Sequence, residues 1–170
     1  YNEWKIIFDE YIIDKETKLK DSLLSIINNE QILIKLEKLI DVNNISNDLS
    51  MREINSLIMN NISNYIPEFI GGSADTVSST KTYLKEKGDF SSKNYAGKNI
   101  FYGIREHAMA SSTNGIALSN LRPFASTFLT FADYMKPSIR LSALMDIPST
   151  FIFTHDSINI GQDGPTHQPI

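Results

Sequence analysis

Beyond Pro67 the sequence alternates between short apolar runs and stretches that are long enough to form helices. Four runs end at glycines or turn-forming residues, and they predict strands over residues 68–72, 99–103, 123–127 and 148–154. Residues 105–119 and 127–145 predict helices, and we expect Pro137 to kink or split the second one. This alternation predicts an α/β fold, in which a parallel sheet has helices on both faces.

The part of the chain before Pro67 is charged, rich in asparagine and helical in its periodicity. Its apolar residues first recur at the spacing of one helix face, at Trp4, Ile7, Phe8, Tyr11 and Ile12. The period continues less regularly through residues 23–40, and the asparagine-rich stretch 41–48 predicts a loop. Ser50 and Glu53 have the spacing of a capping box, and they begin a helix that Pro67 ends. The sequence therefore predicts a helical linker arm over residues 1–50 and an α/β domain over residues 51–170.

Composition restricts the classes of function. The chain has 170 residues, of which 41% are hydrophobic, and its net charge of −4 makes nucleic acid an unfavourable partner. It has no cysteine, which excludes disulfides, cysteine-bound zinc, iron–sulfur clusters and thiol nucleophiles. Its apolar runs are far shorter than the roughly 18 residues of a membrane span, and its charged start is unlike a signal peptide. We therefore expect a soluble cytoplasmic protein that acts on small molecules or contacts other proteins.

Polar residues follow each predicted strand, and in a doubly wound sheet ligands bind beyond the carboxyl ends of the strands. These residues are Ser73 and Asp75, then Arg105, Glu106 and His107, then Thr127 and Phe128, and finally His155, Asp156 and Ser157. All three histidines of the chain, His107, His155 and His167, fall in or near such positions. We therefore expect the three histidines to lie near one ligand site.

Two groups allow both a structural and a functional interpretation. In the structural interpretation, Glu106 is an ordinary acidic residue at a helix start. In the functional one, the small residues that follow it allow a ligand to approach, and its carboxylate shares a proton with a basic ring nitrogen of that ligand. Phe128, Phe131 and Tyr134 are a packed stripe, or an aromatic wall for a flat heterocycle.

The segment from His155 to Gln168 combines two histidines and two of the chain's aspartates with glycines and a proline. One interpretation is an ordinary surface loop. Another is a metal-dependent hydrolase that uses His155, Asp163 and His167 as ligands. In a third, the imidazoles exchange protons with a polyhydroxylated substrate while Asp163 binds a hydroxyl.

Four motifs in order carry a resemblance to a known family. They read Gly-Gly-Ser-Ala-Asp at 71–75, Gly-Ile-Arg-Glu-His-Ala-Met at 103–109, Thr-His-Asp-Ser-Ile at 154–158 and Asp-Gly-Pro-Thr-His-Gln-Pro at 163–169. With this order and spacing the chain resembles transketolase, from about Arg52 to its end and more faintly through the arm. The resemblance covers the family's pyrimidine-binding domain without its last part, so we expect a fragment that is inactive alone.

The resemblance implies a homodimer that uses thiamine diphosphate to move a two-carbon ketol unit from a ketose phosphate to an aldose phosphate. The carbanion chemistry belongs to the cofactor. In this family Mg²⁺ or Ca²⁺ is held by another domain through the diphosphate, so no metal ligands are expected in this chain. A neighbouring subunit and sugar phosphates are the implied partners.

The resemblance also implies roles for individual residues. Glu106 matches the glutamate that bonds the aminopyrimidine ring, and Asp75 matches an acid near the cofactor. The aromatic pocket around the pyrimidine corresponds to Phe128, Phe131 and Tyr134. Substrate contacts are implied for Arg52 and Ser79 at the phosphate, and for His155, Asp163 and His167 at the sugar, with His155 and His167 also implied in catalysis. If the aromatic residues meet the cofactor, we expect them to form an exposed apolar patch.

The sequence departs from the family at Gln162, where glutamate is usual, and this removes one charge from the loop. Dihydroxyacetone synthase is a close alternative within the same cofactor class. The metal-dependent hydrolase and a non-catalytic assembly domain with the same fold are more distant alternatives.

Overall fold

The computed structural model describes residues 2–13, 15, 20–21, 23–24, 48–159 and 161–169. The chain divides into two compact units, residues 1–38 and 39–170. In the first unit, helix α1 spans Asn2–Ile13, which confirms the helix that the apolar period predicts. Trp4 and Phe8, one turn apart on α1, stack with ring centroids 5.0 Å apart. Most of the irregular helical segment and of the loop predicted before residue 48 lies outside the described residues, and the boundary at residue 50 stays a prediction.

The second unit alternates strands and helices as the sequence predicts. Its elements are α2 (Met51–Tyr65), β1 (Phe69–Ser73), α3 (Val77–Thr80), β2 (Asn99–Phe101), α4 (Glu106–Leu118), β3 (Arg122–Phe128), a 3₁₀ turn (Leu129–Phe131), α5 (Ala132–Leu144) and β4 (Thr150–Thr154). The strands pair in the order β2-β1-β3-β4, and every pairing is parallel. The predicted α/β fold with a parallel sheet is therefore confirmed.

The start of α2 carries the predicted capping box. The Glu53 carboxylate accepts hydrogen bonds from the backbone N–H and the hydroxyl of Ser50, at 3.0 and 2.6 Å. Lys81, just after α3, forms an ion pair with the same carboxylate at 2.7 Å. The hydrogen bond from Lys81 is the main reason that the pKa of Glu53 is lowered to about 2. This cap fixes the first turn of α2, which contains Arg52.

Helices cover both faces of the sheet, and alternate residues of β3 supply the two cores. Ala125 packs with Met109 and Ala110 of α4 and Met135 of α5 on one face. Phe124 packs with Met59 of α2 and with Leu84 on the other. On this second face the buried hydroxyl of Ser126 lies 2.6 Å from that of Thr82, which in turn lies 3.0 Å from that of Thr80. Strand periodicity therefore places neighbouring residues of β3 in opposite layers.

Two predictions about the last helix are corrected. The helix predicted over residues 127–145 begins later, because β3 continues to Phe128, which pairs with Thr154 of β4, and a 3₁₀ turn follows. The helix is not split at Pro137, which lies inside α5. Met135 and Ser138, on either side of Pro137, are fully buried against the core and hold this turn in place. Tertiary packing thus outweighs the loss of one backbone hydrogen bond at proline.

Among the described helices, none is both long and apolar enough to cross a membrane.

Candidate active site

The candidate site lies at the carboxyl ends of the strands, where the parallel sheet brings the segments after all four strands together. Asp75 follows β1, Glu106 begins α4 after β2, and His155 follows β4 directly. Asp75 and His155 have positive φ angles of 61° and 57°, a conformation that residues other than glycine adopt infrequently.

One pocket of about 490 Å³ brings together five of the predicted site residues. We call it the ring pocket, and it is lined by Ala74, Asp75, Thr76, Ile104, Glu106, Phe131, Tyr134 and His167. Phe131 and Tyr134 lie side by side in it, with ring centroids 6.3 Å apart. The pocket therefore joins an aromatic wall to two carboxylates and an imidazole.

Glu106 is the first residue of α4, and its side chain is half-buried. The free N–H groups of a helix start favour a carboxylate there. Within the described part of the chain, no hydrogen bond or ion pair ties this carboxylate to another side chain. The carboxylate can therefore bond a ligand in the ring pocket through either an acceptor or a protonated oxygen.

A second pocket, of about 660 Å³, lies between the start of α2 and the end of β4. We call it the arginine pocket, and it is lined by Ser50, Met51, Arg52, Asn55, Ile152, Phe153, Thr154, His155, Asp156 and Asp163. The Arg52 guanidinium donates a hydrogen bond to the backbone carbonyl of Ser79 at 3.2 Å. The predicted pair of Arg52 and Ser79 is thus in contact, although through the Ser79 main chain and not its hydroxyl.

His155 is the most enclosed charged or titratable group of the arginine pocket. Its side chain is 10% exposed, and its Nε2 atom lies 3.4 Å from an oxygen of Asp163. Burial lowers the pKa of His155 below its usual value, because the charged form loses hydration. Asp163 opposes this lowering of the pKa, and Arg52 adds to it. The lowered pKa favours the neutral imidazole, which can donate one hydrogen bond and accept another.

Phe128 connects the two pockets. Its ring stacks on His155 of the arginine pocket, with centroids 3.8 Å apart, and on Phe131 of the ring pocket at 5.7 Å. The His167 ring meets Phe128 edge-on at 5.9 Å and Phe131 at 5.5 Å. Two aromatic and two imidazole rings thus form one cluster that both pockets share.

The structure corrects two expectations about these rings. Phe128 does not line the ring pocket and is buried, because His155 and Phe131 cover it, so the expected exposed patch excludes it. Tyr134 does expose an apolar surface, with 64% of its area accessible. His107 lies in neither pocket, since its ring is turned toward α5, where Nδ1 is 3.4 Å from the hydroxyl of Ser138. The three histidines therefore do not share one site.

Sequence reasoning missed other polar residues of the arginine pocket. Asn55 follows Arg52 by three residues on α2, so helical spacing could have placed both on one face. Thr154 bonds the ring of His155, with its hydroxyl 2.9 Å from Nδ1. The repeated Thr-His dipeptide, at 154–155 and 166–167, was the available signal for this contact.

The described residues contain no group of three or more His, Asp or Glu side chains that could hold a metal ion. His155 approaches Asp163, whereas His167 lies on the other side of Phe128 among the aromatic rings. The ligand set expected for a metal-dependent hydrolase is therefore not assembled in this part of the chain.

Comparison with protein families gives a match to the model "Transketolase, pyrimidine binding domain" over residues 47–170. A transketolase of Bacillus subtilis is 50% identical over 123 residues, which are 72% of this chain and 18% of that protein. A transketolase of Aquifex aeolicus is 41% identical over 169 residues, which are 99% of this chain and 24% of that protein.

Solved structures give the same result. A Campylobacter jejuni transketolase superposes with a TM-score of 0.85 at 39% identity, covering 99% of this chain and 25% of the other. A Pichia stipitis transketolase in complex with sedoheptulose-7-phosphate gives a TM-score of 0.84 at 35% identity, covering 99% of this chain and 26% of the other. The chain thus spans about a quarter of the length of these solved proteins.

Proposed function

The chain belongs to the transketolase family, and because it matches the pyrimidine-binding domain, we propose that it forms one side of a thiamine diphosphate site. The enzyme would transfer a two-carbon ketol unit from a ketose phosphate to an aldose phosphate. The observation that carries this proposal is the ring pocket, in which Glu106 shares one cavity with Phe131, Tyr134 and His167.

The ring pocket fits the pyrimidine part of that cofactor. Phe131 and Tyr134 offer flat apolar surface on which a heterocycle stacks. Glu106 offers a carboxylate to a ring nitrogen, and the small side chain of Ala74 also lines the pocket. When bound, thiamine diphosphate supplies the carbon nucleophile of the transfer.

The residues of the ring pocket would control one proton and the water around it. Glu106 would hold a proton between its carboxylate and the ring nitrogen of the bound heterocycle, with the aromatic rings excluding water from this bond. His167 borders the same pocket and the Phe128 ring, and its imidazole would exchange a proton with the substrate. Asp75 would accept hydrogen bonds from polar groups of the ligand in the same pocket.

The arginine pocket would bind the sugar phosphate. Arg52 presents a guanidinium, which suits the paired oxygens of a phosphate. His155 and Asp163 lie together in the pocket, where His155 would donate to a phosphate or hydroxyl oxygen and Asp163 would accept a hydrogen bond from a sugar hydroxyl. The Pichia relative that was solved with sedoheptulose-7-phosphate supports a phosphorylated sugar as substrate.

We also propose a homodimer, a divalent metal and a cytoplasmic location. Ile104 and Tyr134 line the ring pocket and are 81% and 64% exposed, so a second subunit that closes the pocket would cover them. Mg²⁺ or Ca²⁺ would be bound through the cofactor's diphosphate by a diphosphate-binding domain and not by residues of this chain. The lack of cysteine fits a reducing compartment.

Replacement of Glu106 by glutamine tests the proposal. In the full-length enzyme, Glu106→Gln keeps the shape of the side chain but removes its acid–base function, so we expect kcat to fall by about 10²- to 10⁴-fold. Glu86→Gln, on an exposed loop, is the control and should leave kcat unchanged. Near-normal turnover of Glu106→Gln would contradict the role of the carboxylate.

A comparison of ribose 5-phosphate with formaldehyde as acceptor separates transketolase from dihydroxyacetone synthase.

A further inference from the structure

Both histidines of the candidate site are preceded by a threonine whose hydroxyl bonds their Nδ1 atom. The hydroxyl of Thr154 lies 2.9 Å from Nδ1 of His155, and that of Thr166 lies 2.7 Å from Nδ1 of His167. Thr154 is the buried member, at 8% exposed, whereas Thr166 is exposed to water, which competes for its hydrogen bond. Water therefore competes less for the hydrogen bond of Thr154 than for that of Thr166.

The opposite side of the His155 ring determines the direction of this hydrogen bond. Nε2 faces a carboxylate oxygen of Asp163 at 3.4 Å, and an ionised carboxylate only accepts hydrogen bonds. A proton on Nε2 faces this negative oxygen, whereas a lone pair there would be repelled by it, so electrostatics favour the Nε2-protonated form of the neutral imidazole. Nδ1 is then an acceptor, and the hydroxyl of Thr154 must be the donor.

Stacking alone leaves two orientations of the imidazole. The His155 ring lies on Phe128 with an interplanar angle of 32°, which fixes its plane. A half-turn about the bond to the ring keeps this contact but exchanges Nδ1 for a carbon, because such torsions have two nearly equivalent minima. Only the orientation with Nδ1 toward Thr154 keeps the hydrogen bond, so the hydroxyl selects one of the two.

We propose that Thr154 is a positioning residue: its buried hydroxyl donates to Nδ1 of His155 and so keeps Nε2–H directed into the arginine pocket. On binding, an oxygen of the sugar phosphate would replace the Asp163 carboxylate as the acceptor of this N–H, near Arg52. The identity of this ligand rests on the proposed function, whereas the orientation of the ring does not.

The test compares Thr154→Val, which removes the hydroxyl at similar size, with Thr154→Ser, which keeps it. Thr150→Val is the matched control, because Thr150 is exposed at the other end of the same strand. Nitrogen NMR of the histidine-labelled chain, which has three histidines, reports the tautomer of His155. We expect the wild type, Thr154→Ser and Thr150→Val to have His155 protonated on Nε2, and Thr154→Val to show a mixture of states.

Kinetics of the full-length enzyme provide the second measurement. We expect Thr154→Val to raise KM for the sugar phosphate by about three- to tenfold, the effect of one hydrogen bond, with little change in kcat. Thr154→Ser should restore the wild-type KM. If neither the wild type nor any variant transfers ketol units, but the expected tautomers are seen by NMR, the proposed function fails and the positioning role stands. Wild-type His155 protonated on Nδ1, or unchanged NMR and KM in Thr154→Val, would overturn the positioning role.

Discussion

His155 is surrounded by charges that act on it in opposite directions. Burial lowers its pKa most, Asp163 and Asp156 raise the pKa, and Arg52 and His167 lower it. Because the folded-state pKa lies below 6.5, the unfolded chain binds more protons at slightly acidic pH. The stability that this neutral histidine provides is therefore complete above pH 6.5 and is lost as the pH falls below that value.

Removing, one at a time, the two charges that act most strongly on His155 should move its pKa in opposite directions. Asp163→Asn removes a negative neighbour and should lower the pKa further, whereas Arg52→Gln removes a positive neighbour and should raise the pKa. An NMR titration of the imidazole protons measures both shifts. Asp133→Asn, which removes an exposed carboxylate from α5, should leave the titration of His155 unchanged. Shifts of the same sign in the two variants would contradict this electrostatic arrangement.

The sequence identified single residues of the site well where a family motif carried them. Asp75, Glu106 and His167, which lie in the motifs, line the ring pocket. Phe131 and Tyr134, which aromatic spacing singled out, line it as well, and the roles of all five stay predictions. Periodicity alone could not distinguish a ring that lines a pocket from one beneath it, and Phe128 is beneath. That distinction depends on the cross-strand pairing of Phe128 with Thr154, a contact between segments far apart in sequence.

At the scale of elements, β1 lies between two strands that approach it closely. A Cβ atom on Gly72 would overlap the backbone carbonyl oxygen of Ile100 on β2. Gly72 also pairs with Ala125 of β3, so β1 cannot move away from β2 without breaking its hydrogen bonds to β3. The glycines before Asp75 therefore serve the sheet, and through it the position of Asp75 at the edge of the ring pocket.

Substitution of Gly72 by alanine should destabilise the protein. The clash with Ile100 involves backbone and cannot be relieved by a side-chain rotation, so we expect a loss of about 2 kcal/mol or more in the free energy of unfolding. Gly115→Ala is the matched control, because the added methyl group meets nothing within 4 Å on α4. There we expect a gain of about 0.5–1 kcal/mol from helix propensity. Urea unfolding measures both changes, and equal effects would contradict the packing described for β1.

The elements themselves followed largely from local patterns. The capping box at Ser50 and the apolar period fixed α2, and the four apolar runs gave all four strands of the described sheet. The extent of β3 was wrong, because it depends on pairing with β4. The split at Pro137 was wrong as well, because burial against α4 and the sheet holds α5 together, whereas a kink there stays a prediction. Local propensity predicts where elements occur, whereas long-range contacts determine where they end.

For the molecule as a whole, the cluster of Phe128, Phe131, His155 and His167 connects two pockets with different chemistry. Both pockets carry two carboxylates and an imidazole, but the ring pocket adds Phe131 and Tyr134, whereas the arginine pocket adds the Arg52 guanidinium. Phe128 contacts a residue of each, so a change in its shape reaches both. In the proposed enzyme, this contact would keep the cofactor and the sugar phosphate in a fixed relation, which transfer between them requires.

Three substitutions in the full-length enzyme should distinguish the roles of the two pockets. Phe128→Leu removes the shared stacking surface, so we expect both thiamine diphosphate affinity and KM for the sugar phosphate to worsen by several-fold, at a cost of about 1 kcal/mol in stability. Tyr134→Leu should weaken only the affinity for thiamine diphosphate. Arg52→Gln should raise only KM for the sugar phosphate, by about tenfold. Cofactor titration and initial-rate kinetics measure the two constants. If Phe128→Leu changed only one of them, the two pockets would be independent, and the ring cluster would be packing without a role in aligning the two ligands.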